Sequence, residues 1–348
     1  MTADPILSCQ GLWKVFGAEA GSFDASLPTA TMLERGWVPA VQDVSLSVDS
    51  GEIFVIMGLS GSGKSTLVRC FTRLIEPTAG SLILEGQDLL AADEASLIDL
   101  RRRKMGMVFQ HFALLPNRSV LGNVAFPLQV QGWGRDKREA RAREMIGLVG
   151  LEGREEHFPA ELSGGQQQRV GIARSLASDP EVWFLDEPFS ALDPLIRNDL
   201  QDELLRLQEK LGKTIVFITH DLDEATKIAD RIAIMEQGRV IQIASPDALV
   251  LAPANDYVAR FTAKVALPRV VRVRSIMRPL NGSALPASAP LAAEMTIEAA
   301  APQIIESSAD LAVVDREGQP IGCLERDAAL RILAGIRPSP NDRLLAEK

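Results

Sequence analysis

Four short apolar runs, Ile53 to Met57, Val182 to Leu185, Ile215 to Thr219 and Ile232 to Met235, lack the alternation of a half-exposed strand and read as strands buried on both faces. Helical stretches separate them, which predicts an α/β fold around a largely parallel sheet. The clearest helix lies between Asp193 and Gly212. Asp193 is placed to cap it, Pro194 takes the first helical position, and Gly212 stops it. Apolar residues at Ile196, Leu200, Leu204, Leu207 and Leu211 form a stripe expected to pack on the sheet. Another helical stretch, from about Asp136 to Val149, is expected to belong to a separate subdomain.

Two regions break this pattern. Ala18 to Pro39 has mixed polarity and no period, and reads as an inserted loop with one short helix near Met32. Beyond about Leu267 the texture changes. Arg269 to Arg274 alternates apolar and basic residues, and Pro279 to Pro290 has the Pro, Ala, Ser and Gly content of a linker. A compact unit follows, with Leu311 to Val314, a turn at Asp315 to Gly318, Ile321 to Leu324 and a last helix from about Arg326 to Ala334. The expected organisation is a main domain over 1–265 and a small one over 266–348.

Composition narrows the classes of function. A chain of 348 residues suits a main domain plus a smaller one, and 46% hydrophobic residues suffice for a buried core. A net charge of -9 argues against a protein that grips nucleic acid, which needs a basic surface. Arg101 to Lys104 is the local exception and reads as a solvated face. Cys9, Cys70 and Cys323 have no paired or metal-ligand spacing, which fits free thiols in a reducing compartment. Met1 to Leu7 shows no leader pattern and no apolar run is long enough to span a bilayer. A cytoplasmic chain is expected, with any membrane role exercised through partners.

The chemistry concentrates in three places. Gly58-Leu-Ser60-Gly61-Ser62-Gly63-Lys64-Ser65-Thr66 follows a strand and opens a helical pattern, the context a phosphate-binding loop requires. Its glycines let backbone N–H groups converge on phosphate oxygens, Lys64 supplies a point charge, and Ser65 offers a hydroxyl to Mg²⁺, so ATP and Mg²⁺ are the expected ligands. Asp186 and Glu187 emerge at the tip of the run Val182 to Leu185, where unpaired charge is costly. The functional reading gives Asp186 the Mg²⁺ and Glu187 the attacking water as general base. His220, one of three histidines, ends another strand at the expected ligand-binding edge, placed either to contact the γ-phosphate or to orient the water.

Leu162-Ser163-Gly164-Gly165-Gln166 opens a helical stretch and makes a second potential anion site. With this signature, and the other motifs in order, the chain resembles the ATP-binding-cassette ATPases over residues 6 to about 265. The resemblance implies a parallel-sheet core with an antiparallel β subdomain and a helical subdomain. It also implies a homodimer paired head to tail, in which Ser163, Gly164, Gly165, Gln166 and Asp193 reach the nucleotide of the other copy. Gln110 matches the glutamine that joins Mg²⁺ to a membrane partner, and Phe16 matches the aromatic that stacks on adenine. Permease subunits in the membrane are the implied partners, with a substrate-binding protein acting through them, the ATPase lying on the inner membrane face.

Other branches of the superfamily fit less well. The gap from Gln110 to Leu162 has no room for the coiled-coil or zinc insertion of a DNA-repair ATPase, and only one set of motifs occurs, where a translation-linked protein carries two. Arg73-Leu-Ile-Glu-Pro77, Phe189 to Arg197 and His220-Asp-Leu-Asp-Glu-Ala225 resemble the subfamily that energises uptake of glycine betaine, proline, choline and related solutes. A polar amino-acid or sugar importer is the alternative. The C-terminal unit, from Ser275-Ile-Met277 through Leu311 to Gly322, resembles a single cystathionine-β-synthase (CBS)-type α+β module, implying a sensor of ionic strength or a nucleotide; the alternative is a domain that only stabilises a dimer.

Overall fold

The computed structural model describes residues 4–18, 23–110, 112–280 and 289–337. Residues 281–288 of the stretch read as a linker lie outside the described residues. The chain divides into two compact units, one of residues 1–224 with 233–241 and the other of 225–232 with 242–348.

In the first unit, β1 (Leu7–Phe16), β2 (Val38–Val48), β4 (Ala79–Leu84) and β5 (Gln87–Asp88) form a sheet in the order β2-β1-β4-β5, each neighbouring pair antiparallel. A six-stranded sheet has the order β10-β9-β3-β8-β7-β6, from β3 (Ile53–Met57), β6 (Met105–Val108), β7 (Val182–Asp186), β8 (Thr214–Thr219), β9 (Arg231–Glu236) and β10 (Arg239–Ala244). Its β3, β8, β7 and β6 run parallel, and every residue of β3, β7 and β8 is buried. Strands covered on both faces have no polar side to show, which is why their sequences read as unbroken apolar runs.

Helix α1 (Thr29–Glu34) belongs to the insertion, and Met32 on it is fully buried against Trp13 and Val15, flanked by Phe23, Leu27 and Trp37. The segment is therefore packed on β1 through a small core of its own. Helix α2 (Lys64–Phe71) touches β1 and β2 on one side and β7 and β8 on the other, joining the two sheets through Leu67, Val68, Cys70 and Phe71. Burial of such side chains contributes about 1.5–3 kcal/mol each. Helix α3 (Glu94–Arg103) leads into β6. The helical part comprises α4 (Val120–Val124), α5 (Phe126–Val130), α6 (Arg135–Leu148) and α7 (Gly164–Leu176), packed on one another.

Helix α8 (Pro194–Leu211) has its expected ends: Asp193 accepts from the N–H groups of Leu195 and Ile196 at 3.1 Å each, and Gly212 stops it at φ 62°. Its buried face is narrower than the apolar stripe. Leu200, Leu204 and Leu207 are buried, but Ile196, which stands beside Gly165, is exposed and Leu211 only half-buried. Helix α9 (Leu222–Ile228) follows β8.

The second unit contains α10 (Pro246–Leu251), α11 (Asp256–Phe261), α12 (Leu267–Val270), β11 (Arg278–Pro279), β12 (Leu291–Ala292), α13 (Ile297–Glu306), β13 (Leu311–Val314), β14 (Pro320–Leu324) and α14 (Arg326–Leu333). The sheet order is β11-β14-β13-β12, with β12 parallel to β13. The β13–β14 turn is held by Asp315, whose carboxylate accepts from the N–H groups of Glu317 and Gln319, and Gly318 takes φ 77°. The longer segment of this unit starts at Gln242, ahead of the expected residue 266, and within it α12 packs against α10 as well as α13 and α14. Among the described residues, no helix is long and apolar enough to cross a membrane.

Candidate active site

The parallel sheet brings four loops to one edge. Met57 is registered with Thr219, Ile218 with Asp186, and Leu185 with Val108, so the segments after β3, β8, β7 and β6 emerge side by side. These segments carry the Gly58–Thr66 loop, His220, Glu187 and Gln110.

The glycines of the first loop are demanded by geometry. A Cβ at Gly58 would lie 2.3 Å from the Met235 carbonyl oxygen, and one at Gly63 would lie 2.2 Å from that of Ala40. Gly61 and Gly63 also hold φ of 80° and 101°, which L side chains rarely adopt. Lys64 is buried and donates to the carbonyls of Gly58 at 2.8 Å and Leu59 at 3.1 Å. Burial pushes its ammonium below the usual lysine range, against the opposing pull of Glu187 and Asp186. Ser65 Oγ donates to Asp186 Oδ1 at 2.9 Å, and Arg69 stands 3.9 Å from Oδ2. The Asp186 carboxyl is nevertheless raised, chiefly by burial.

Glu187 adopts φ 45°, a left-handed conformation that costs a non-glycine residue about 1–3 kcal/mol. Three contacts hold it there: its N–H donates to the Ile218 carbonyl at 3.1 Å, and its own carbonyl accepts from Ser190 Oγ at 3.0 Å and Ser190 N–H at 3.3 Å. Its side chain is directed to His220, with Oε2 3.1 Å from Nδ1. A carboxylate at a strand tip beside an imidazole is equipped to hold and move a proton.

The site fits a nucleotide and a hard cation. Ser62 Oγ is buried without a hydrogen-bond partner, and no heavy atom lies within 4 Å of where a Cβ on Gly61 would stand, leaving space above the loop. Ser65 and Asp186 bring together side-chain oxygens of the kind Mg²⁺ prefers, with Gln110 following β6 at the same sheet edge, and a cation beside Asp186 would favour its ionised form against burial. Phe16 ends β1 on the antiparallel sheet. Its ring is exposed, with the Lys14 ammonium 4.9 Å from the centroid.

A second cluster forms at the N-termini of α7 and α8. Ser163 Oγ accepts from the Gln166 N–H at 3.3 Å, and Gln166 Oε1 accepts from the Ser163 N–H at 2.9 Å, a reciprocal capping box. The side chains of Ser163 and Gln166 thus serve the helix itself, while the N–H groups of Gly164 and Gly165 take no part in the cap. Side chains at these two glycines would press on α8 and its lead-in: a Cβ at Gly165 would lie 2.8 Å from Ile196, and one at Gly164 3.3 Å from Leu192. The structure therefore groups the residues in two sets, with Lys64, Ser65, Asp186, Glu187 and His220 in one and Ser163 to Gln166 with Asp193 in the other.

Sequence reasoning passed over several supporting residues. Arg69 is one turn beyond the phosphate loop, where a basic residue beside a carboxylate was open to recognition. Arg197, bound to Asp221 at 3.1 Å and to the Leu192 carbonyl at 3.3 Å, ties the loop before α8 to the one after His220, and its partners are too distant in sequence to announce themselves. Arg174 donates to the carbonyls of Phe112 and Ala113, which both have positive φ.

The chain is 54% identical over 333 residues to the trimethylamine N-oxide transport system ATP-binding protein TmoW of Ruegeria pomeroyi, a match covering 94% of this chain and 97% of that protein. It belongs to the ATP-binding-cassette transport ATPases. The family model described as ABC transporter matches residues 41–190 of the cassette. Its likeness to the glycine betaine/proline betaine transport system ATP-binding protein ProV of Escherichia coli is 48% over 277 residues, covering 78% of this chain and 69% of that one. Among solved structures, the dimeric post-hydrolysis state of an ATP-binding cassette bound to ADP and Pi matches with a TM-score of 0.59 and 33% identity, over 69% of this chain and 98% of that one. The cassette is accordingly an ATPase whose hydrolysis is coupled to transport.

Proposed function

We propose that the cassette drives uptake of a small N-methylated zwitterion, with trimethylamine N-oxide first and glycine betaine second. The observation that carries the choice of solute is the extent of the likeness. The TmoW match spans 94% of this chain, and a second TmoW, from Pelagibacter ubique, matches over 92%; the match to ProV spans 78%. The likeness to these two trimethylamine N-oxide proteins thus takes in more of this chain than the likeness to ProV does. In vesicles reconstituted with its permease and binding protein, trimethylamine N-oxide is expected to stimulate ATP hydrolysis several-fold over the solute-free system. Stimulation by a polar amino acid or a sugar alone would overturn the assignment.

In this reading the N–H groups of the 58–66 loop and Lys64 hold the phosphates, with Ser60, Gly61, Ser62, Gly63, Ser65 and Thr66 lining the cradle. Ser65, Asp186 and Gln110 would hold Mg²⁺, which would supply charge neutralisation at the terminal phosphates. Glu187 accepts the proton of the attacking water, and His220, 3.1 Å away, fixes the carboxylate's direction. Phe16 offers its exposed ring to the base. Two copies pair head to tail, so the glycines of one signature and its Asp193 complete the site of the other, while permease subunits at the inner membrane face receive the motion through Gln110.

We also assign the second unit a CBS-like regulatory role. Glu294 bridges Arg274 at 2.8 Å and Arg272 at 3.5 Å, and Arg278 pairs with Glu325, all on partly exposed side chains. Such pairs weaken as salt screens them, which makes them responsive to ionic strength. Glu294→Gln is expected to lower the salt concentration at which reconstituted ATPase activity is half-maximal; an unchanged salt profile would refute the role of these pairs.

A further inference from the structure

We propose that Gln42 is a positioning residue that ties the 18–39 insertion to the phosphate loop, so that the insertion sets nucleotide affinity. The inference rests on the reading of the 58–66 loop as the nucleotide site.

Gln42 is buried in β2, and its amide group is engaged on both ends. Oε1 accepts from Thr29 Oγ1, the first residue of α1, at 2.9 Å and from the Arg239 guanidinium at 3.2 Å. Nε2 donates to the Gln237 carbonyl at 2.6 Å, and the backbone N–H donates to the Gly238 carbonyl at 2.8 Å. Gln42 thus grips the turn between β9 and β10, whose residues Gln237 and Gly238 both have positive φ, at 48° and 81°.

That turn in turn holds the phosphate loop. The Gly238 N–H donates to the Ser62 carbonyl at 2.9 Å. A peptide group is planar and trans, so fixing the Ser62 carbonyl on one side fixes the Gly63 N–H on the other. Around this hydrogen bond the backbones are in contact, since a Cβ at Gly63 would lie 2.2 Å from the Ala40 carbonyl oxygen and 3.4 Å from Gly238 Cα. The chain of contacts therefore runs from Thr29 through Gln42 and the 237–238 turn to the peptide between Ser62 and Gly63. Thr29 itself is placed by α1, which the burial of Met32 against Trp13 and Val15 anchors to β1.

A residue that only glues the fold would lower stability without changing the affinity of the folded protein. One that aims the loop changes affinity as well. Gln42→Met keeps the bulk and removes all three side-chain hydrogen bonds; Thr29→Val removes one and leaves the turn untouched. In the full-length chain, ATP affinity is read by displacement of a fluorescent ATP analogue, alongside the melting temperature without nucleotide. Gln42→Met is expected to raise the ATP dissociation constant about tenfold and Thr29→Val about threefold, consistent with buried polar partners left unpaired. Unchanged dissociation constants in both variants, whatever the melting temperatures, would overturn the inference while leaving the nucleotide site standing. No nucleotide binding by the unaltered chain would overturn both. If Gln42→Met does not fold, Thr29→Val decides alone: a weakened affinity supports the link and an unchanged one removes it.

Discussion

Glu187→Gln is expected to reduce ATP turnover about 10²–10⁴-fold while leaving ATP binding close to normal. The loss is the range that removing a general base produces, about 3–5 kcal/mol of barrier. The amide has the shape of the carboxylate, so the backbone at φ 45° and its contacts with Ile218 and Ser190 are preserved. What disappears is the ability to take a proton from water. Because binding survives and hydrolysis does not, the ATP-bound form accumulates, and size-exclusion chromatography with ATP and Mg²⁺ is expected to show a dimer. Turnover above a tenth of the unaltered rate would remove Glu187 from the role of base, and a monomer under these conditions would remove the head-to-tail arrangement.

The second large effect is expected at Lys64. Lys64→Met retains the aliphatic stem and deletes the ammonium that bonds the Gly58 and Leu59 carbonyls. Loss of a charge-assisted donor to phosphate, in a site where Lys64 is buried, is expected to weaken ATP binding about a hundredfold, or about 2.7 kcal/mol. Equilibrium binding of a fluorescent ATP analogue measures it. The same substitution frees the two carbonyls, so the loop also loses an internal tie. Lys64→Arg separates the contributions: it restores the charge without the compact geometry, and recovery of most of the affinity would show that charge dominates over fit.

The parallel sheet was legible because strands buried on both faces cannot hide their composition. Ile53 to Met57 is read and observed with the same ends, and α8 begins and ends at its Asp193 and Gly212 signals for local reasons of capping. The chemistry at the sheet edge was legible for a related reason, since phosphate loops and strand-tip carboxylates are written in contiguous residues. What escaped were pairings between distant segments. Nothing local to Gln42 or Arg197 shows that each joins two loops. Ser163 and Gln166 carry a second signal in the same residues, since a Ser three residues before a Gln is also a capping box, and their side chains form one. The Arg269–Arg274 alternation runs from the end of α12 into a short 3₁₀ turn, with Val270, Val271 and Val273 buried and Arg272 bridged to Thr296.

The reach of Gln42 to Gln237 spans 195 positions of the chain. A ribosome delivers the glycines of the phosphate loop early, together with the strand and helix that flank them. The turn that orients the loop's Ser62 carbonyl arrives only after β6, β7 and β8 have been made. Contacts of such long range form late, after loop closure has been overcome. On the proposal that this turn aims the loop, the nascent cassette is expected to hold a complete phosphate-binding motif before an oriented one, and to retain ATP only once β9 and β10 have joined the sheet.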